Sequence, residues 1–96
     1  MANRKIREIN LECGAVVHVN PESLDNAELL DAVVEGDEGD VRAVSRILRI
    51  LLNAEDKKAL YDVLREEDGR VPTARVADTI AEIFTKLGEK EEAAKN

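Results

Sequence analysis

The sequence predicts an α+β fold, mainly α, in which a short N-terminal β-hairpin is followed by a small four-helix arrangement. Three observations predict it. Apolar residues alternate with polar ones early in the chain, at Ile9, Leu11 and Cys13, the period of a half-buried strand. From Leu24 onward they recur at three- and four-residue steps, the period of amphipathic helices. The glycine-containing segments fall between these runs, where turns are needed.

The hairpin is expected over residues 7–19. Gly14 separates the first alternating run from Val16-Val17-His18-Val19. A three-residue loop, Gly14 to Val16, would pair Cys13 with Val17 and Leu11 with Val19, and would set Glu12 opposite His18 on the polar face. A two-residue loop would mix the faces, because a one-residue slip flips every side chain. A lone hairpin is marginal in water and must pack on helices.

Asn20-Pro21 ends the second strand. A first helix is expected over about 26–35, with Asp25 as N-cap, Glu28 as its capping-box partner and a staple between Leu24 and Leu29. Its buried face would be Leu29, Leu30, Val33 and Val34, and Gly36-Asp37-Glu38-Gly39 would break it. A second helix, about 41–52, would be capped by Asp40 and buried through Val41, Val44, Ile47, Leu48, Leu51 and Leu52. It is the most apolar helix and is expected at the centre. Arg42, Arg46 and Arg49 form a basic stripe away from that face.

Asn53 would cap a third helix, about 54–67, with Leu60, Val63 and Leu64 inward and Gly69 as a left-handed C-cap. Pro72 suits the first turn of a fourth helix, about 72–87, carrying Val76, Ile80, Ile83, Phe84 and Leu87. Gly88 would close it, leaving residues 89–96 as a flexible charged tail. Residues 1–88 read as a single small domain.

The totals narrow the function. Of 96 residues, 44% are hydrophobic and only 2% aromatic, so the core must be aliphatic. Twenty-one acidic against 14 basic residues give a net charge of -7. That charge repels phosphate backbones, so a nucleic-acid partner is not expected. No apolar run approaches the roughly 20 residues of a membrane helix. Met1-Ala2-Asn3-Arg4-Lys5 opens without the long apolar stretch of a signal peptide. A cytoplasmic protein is expected.

Catalysis is not expected. The chain has one cysteine, Cys13, and one histidine, His18, on opposite hairpin faces in the expected register. Nucleophilic catalysis needs them adjacent, and geometry precedes pKa. Two such ligands cannot make a zinc site. The loop Gly36-Asp37-Glu38-Gly39-Asp40 lacks the ligand spacing of a calcium loop. No catalytic residue, metal ligand or cofactor is assigned. The stripe Arg42, Arg46, Arg49 is either a solvated, ion-paired helix face or a docking surface for an acidic helix or another copy of the chain.

The run from Lys57 to Pro72, with its turn Arg65, Asp68, Gly69, Arg70, Val71 and Pro72, resembles small phage-encoded proteins found among siphophage tail genes. Those proteins show a leucine-rich helix, an Arg-x-x-Asp-Gly-Arg-Val-Pro turn and a helix ending near an Ile-Phe pair, here Ile83-Phe84. The run Leu24 to Ala32 and the acidic loop after it are similar as well. The resemblance implies a phage or prophage tail assembly chaperone. Such a protein binds the long helical tape-measure protein and keeps it soluble until tube subunits polymerise around it. It also implies no client-binding residues, because the shared turn is explained by fold geometry. Some members are made in two lengths by ribosomal frameshifting, and Ala94-Lys95-Asn96 can be encoded by the slippery heptamer A-AAA-AAC. A small acidic adaptor or regulatory protein that binds a host or phage protein is the alternative.

Overall fold

Strand β1 (Arg7–Asn10) and strand β2 (Val16–Val19) form the antiparallel hairpin at the start of the chain. The structure, a computed structural model, describes residues 6–95, with side chains over 6–88. The segment Met1–Lys5, where no signal peptide was expected, and Asn96 lie outside the described residues.

The hairpin register differs from the expected one. Arg7 pairs with Val19, Glu8 with His18, Ile9 with Val17 and Asn10 with Val16. The loop does hold three residues, but they are Glu12, Cys13 and Gly14. The Leu11 N–H donates to the Ala15 carbonyl at 2.9 Å, and the Gly14 N–H donates to the Leu11 carbonyl at 2.9 Å. In this turn the third loop residue must be left-handed, and Gly14 supplies it with φ +103°. A loop beginning at Gly14 would put Val16, a β-branched residue that resists this conformation, at the left-handed position. The resulting slip is by an even number of residues, so the faces survive: Ile9, Leu11, Val17 and Val19 are all buried. Glu8, not Glu12, stands opposite His18.

A 3-10 turn (Pro21–Leu24) leads to helix α1 (Ala27–Asp37). The cap is Asn26 rather than Asp25, its Oδ1 accepting the Glu28 N–H at 2.8 Å. The helix runs through Gly36 and turns at Gly39, whose φ is +102°. Helix α2 (Arg42–Leu51) follows at once. The Asp40 carboxylate accepts the Arg42 N–H at 3.0 Å, so Asp40 does satisfy a first-turn donor.

Helix α3 (Ala54–Leu64) begins as expected, with Asn53 Oδ1 accepting the Asp56 N–H at 2.7 Å. It ends three residues earlier than expected, because Arg65 is already extended. Gly69 is therefore not a helix C-cap. It sits in a separate turn, with φ +92°. Helix α4 (Thr73–Lys95) starts directly after Pro72, whose carbonyl accepts the Arg75 and Val76 N–H groups. It does not stop at Gly88. One glycine costs a helix only about 1 kcal/mol, and the Glu, Lys and Ala residues beyond it are strong helix formers. The tail expected over 89–96 is thus helical as far as Lys95.

Helix α2 is central, packing on α1, α3 and α4, while β2 rests on α3. One continuous aliphatic core runs from Ile9, Val17 and Val19 through Leu48, Leu51, Leu60 and Leu64 to Ile83 and Leu87. Four residues expected inside are exposed instead: Leu30, Val34, Val41 and Val63. For α1 the reason is geometric. It lies against α2 through Leu29, Ala32 and the half-buried Val33, and this leaves a narrower buried arc than four apolar positions would need.

Two helix carboxylates hold the hairpin, one at the β2 edge and one at the loop. On β2, Asp56 of α3 accepts the His18 backbone N–H at 2.7 Å and lies 3.1 Å from His18 Nδ1. On the β1 side, Glu82 of α4 accepts the Glu12 N–H at 2.8 Å, and Lys86 Nζ donates to the Asn10 carbonyl at 2.7 Å. Lys86 and Glu82 also pair at 2.9 Å. Open strand edges invite pairing with other chains, and these contacts occupy part of both.

Candidate functional site

The basic stripe divides into three different roles. Arg46 lies over the seam between α1 and α2. Its guanidinium donates to the Glu35 carboxylate of α1 and to Asp40 Oδ2 at 3.3 Å. Those two carboxylates, Asp40 first and then Glu35, raise the Arg46 pKa above its ordinary value. Arg42 is turned back onto the loop, its Nε 3.2 Å from Asp40 Oδ1. Arg49 reaches only Ser45 Oγ, at 3.5 Å. Arg46 and Arg49 edge a groove of about 440 Å³ whose opposite wall is Glu28, Asp31 and Glu35 of α1. Arg46 therefore belongs to the packing of the α1–α2 pair, and Arg42 and Arg49 are the stripe's outward members.

This division has a measurable consequence. Arg46→Glu would place a third carboxylate between Glu35 and Asp40, and should lower the urea midpoint clearly. Arg49→Glu should fall within about 0.5 kcal/mol of the parent, as surface changes usually do. Urea denaturation of the two variants checks the split.

The turn at residues 65–72 has the same hydrogen-bond plan as the hairpin loop. The Glu66 N–H donates to the Arg70 carbonyl at 2.7 Å, and the Gly69 N–H donates to the Glu66 carbonyl at 2.9 Å. Arg65 braces it, with Nη1 on the Gly69 carbonyl at 2.9 Å and Nη2 on Asp62 Oδ1 at 3.2 Å. Asp68 accepts from the Arg70 N–H at 3.0 Å and from Arg70 Nε at 3.1 Å. Val71 packs against the core, and Pro72 leads into α4. Each residue of the motif thus has a conformational task. Gly69→Ala should cost about 1–2 kcal/mol, because a Cβ there meets no neighbour and only the left-handed backbone resists it. Gly69→Asn should recover part of that loss in the same melting experiment, since asparagine tolerates this region.

Among the described residues, three carboxyls are held below their ordinary value of 3.8. A hydrogen bond from the Arg42 side chain does this first for Asp40. Arg65 does it for Asp62, with the charge of Lys58 next, and the Arg70 backbone N–H does it for Asp68. A lowered folded-state pKa adds stability that is present above 3.8 and lost as pH falls through the lower folded value. These groups are exposed, so the effect is modest and screened by salt. The melting temperature should therefore drop as pH is taken below 3.8, with a smaller drop in high salt.

Among the described residues, no group of three or more His, Cys, Asp or Glu side chains could hold a metal ion. Among them, too, no helix is long and apolar enough to cross a membrane. Cys13 lies half-buried in the hairpin loop, while His18 is engaged with Asp56.

No family model, curated protein or solved structure matches this chain.

What sequence reasoning missed is the exposed side of α1. Ala27, Leu30 and Val34 lie along one line of the helix, at three- and four-residue steps, and all three are exposed. Leu30 is 63% and Val34 45% exposed. The same periodicity marks a core face and a docking face, so no sequence signal separated them. A second apolar feature is a small cleft of about 160 Å³ between α2, α3 and the start of α4, lined by Val41, Val44, Tyr61, Val71 and Val76 among others.

Proposed function

We propose that this chain is a phage tail assembly chaperone, a non-catalytic protein that binds a tape-measure-like helical client in the cytoplasm of a bacterial host. The observation that carries this reading is the exposed apolar line on α1 within an acidic surface. Apolar side chains at helical spacing suit the apolar stripe of another helix, and a net charge of -7 keeps a complex soluble. The turn from Arg65 to Pro72, which resembles that of tail assembly chaperones, supports the same reading. The test is co-expression of the full chain with a long helical tape-measure protein encoded beside it. The client should be soluble and co-purify only when the chain is present. A client that is soluble alone, or that never co-purifies, removes the reading.

A small acidic adaptor that binds a folded host or phage protein is the second reading. The cleft beneath Val41 favours it, because about 160 Å³ suits one projecting apolar side chain better than a whole helix. Capture of a single folded target, lost on Val41→Glu, would support this reading over the first.

A further inference from the structure

We propose that the outer face of α1 docks an amphipathic helix whose apolar stripe is bordered by lysine or arginine. This rests on the reading of the chain as a binder of helical clients, and adds the surface used and the charge its client must carry.

The geometry gives the first half. Helix α1 has one side against α2, with Leu29 and Ala32 buried and the Gly36 backbone beside Ala43. Ala27, Leu30 and Val34 lie on another side and are left in water. Leu30 is 63% and Val34 45% exposed, so covering this apolar line is an unused source of affinity. A helix laid along α1 would cover it by the ordinary packing of side chains between neighbouring helices.

The charges give the second half and select the occupant. Residues Ala27–Asp37 hold four carboxylates, Glu28, Asp31, Glu35 and Asp37, and no cation. Among the described residues only Glu35 of these is ion-paired, to Arg46. Asp31 adjoins Leu30 in the chain and Asp37 closes the helix, so carboxylates border the apolar line; Glu28 and Asp31 share their groove with Arg46 and Arg49, and Asp37 forms no ion pair among the described residues. A second copy of α1 would bring like charges together, which specific interfaces avoid. An anionic membrane surface would be repelled for the same reason. A helix with cationic borders gains from both the apolar line and the carboxylates.

The test uses the full chain, isotope-labelled, and a synthetic amphipathic helix of about three heptads with leucine at its seam positions and lysine at the flanking ones. A companion peptide carries glutamate in place of lysine. The lysine helix should shift the amide signals of Ala27, Leu30, Asp31 and Val34, and the glutamate helix should not bind. Leu30→Ser with Val34→Ser should weaken the lysine helix about tenfold, as loss of anchoring residues at an interface does. Both side chains are exposed, so the double variant should keep its melting temperature. Signal shifts spread over the whole acidic surface, or unchanged affinity in the double variant, would overturn the proposal. So would a dimer of the free chain that this variant splits, because a second copy would then own the face. The two readings fail separately. If the tape-measure client co-purifies equally with the double variant, the chaperone reading stands and this surface falls. If the lysine helix binds on α1 but no tape-measure client co-purifies, the surface stands and the chaperone reading falls.

Discussion

Leu48→Ala should lower the stability of this protein by about 3–5 kcal/mol. Leu48 is fully buried at the middle of α2, the helix that α1, α3 and α4 all pack against. Truncation removes the transfer free energy of the side chain and leaves a cavity among neighbours held by three other helices, so little can collapse into it. Small domains rarely exceed a margin of about 5–15 kcal/mol, so the loss takes a large part of the total. The urea midpoint should fall sharply with an unchanged slope, which marks a change in stability rather than in the unfolded state. Leu30→Ala is the control. Periodicity places Leu30 on the expected core face of the first helix just as it places Leu48 on the second, yet Leu30 is 63% exposed and its truncation should cost no more than about 0.5 kcal/mol. Equal losses in the two variants would mean that the outer face of α1 is covered in solution.

Asp56→Ala should cost about 2–3 kcal/mol, and most of the loss should appear at the hairpin. One carboxylate accepts the His18 backbone N–H at 2.7 Å, sits 3.1 Å from His18 Nδ1, and lies 3.4 Å from Asn53 Nδ2. Hydrogen bonds to charged groups are worth about 1.5–3 kcal/mol, and removing the acceptor also leaves the strand-edge N–H without its partner. Hydrogen exchange is the direct measurement. The His18 amide should lose its protection in Asp56→Ala before the amides of α2 do. His18→Ala keeps the backbone bond and loses only the imidazole contact, so it should cost about 1 kcal/mol or less. If His18→Ala proved as damaging as Asp56→Ala, the imidazole rather than the strand edge would be what Asp56 holds.

The contrast between these residues shows where the sequence was legible. The Asn53 cap and the aliphatic positions of α2 and α4 were readable because each is set by neighbours within a few residues: a cap bonds two or three positions on, and a helix face repeats every turn. The cap of α1 was misplaced by one residue because Asp25 and Asn26 are both competent, and only the observed Asn26–Glu28 bond distinguishes them. The hairpin register was misread through Gly14, although its loop length and both faces were correct. Arg46 and Arg49 read alike in sequence. Only the arrival of Glu35 from α1 makes Arg46 a seam residue and leaves Arg49 outward.

By itself the sequence determined the element types and their order, an aliphatic core with α2 at its centre, and a net charge of -7. These follow from local hydrogen bonding, side-chain periodicity and total charge, none of which needs distant contacts. The tertiary structure alone decided which apolar faces are covered. Helix α1 packs chiefly on α2, so Leu29 is buried and Leu30 is not. It also decided that Asp56 and Glu82, unremarkable as letters, hold the β2 edge and the loop of the hairpin across 38 and 70 residues of chain. Burial and long-range hydrogen bonds depend on which segment lies alongside, and that is fixed only when the helices pack.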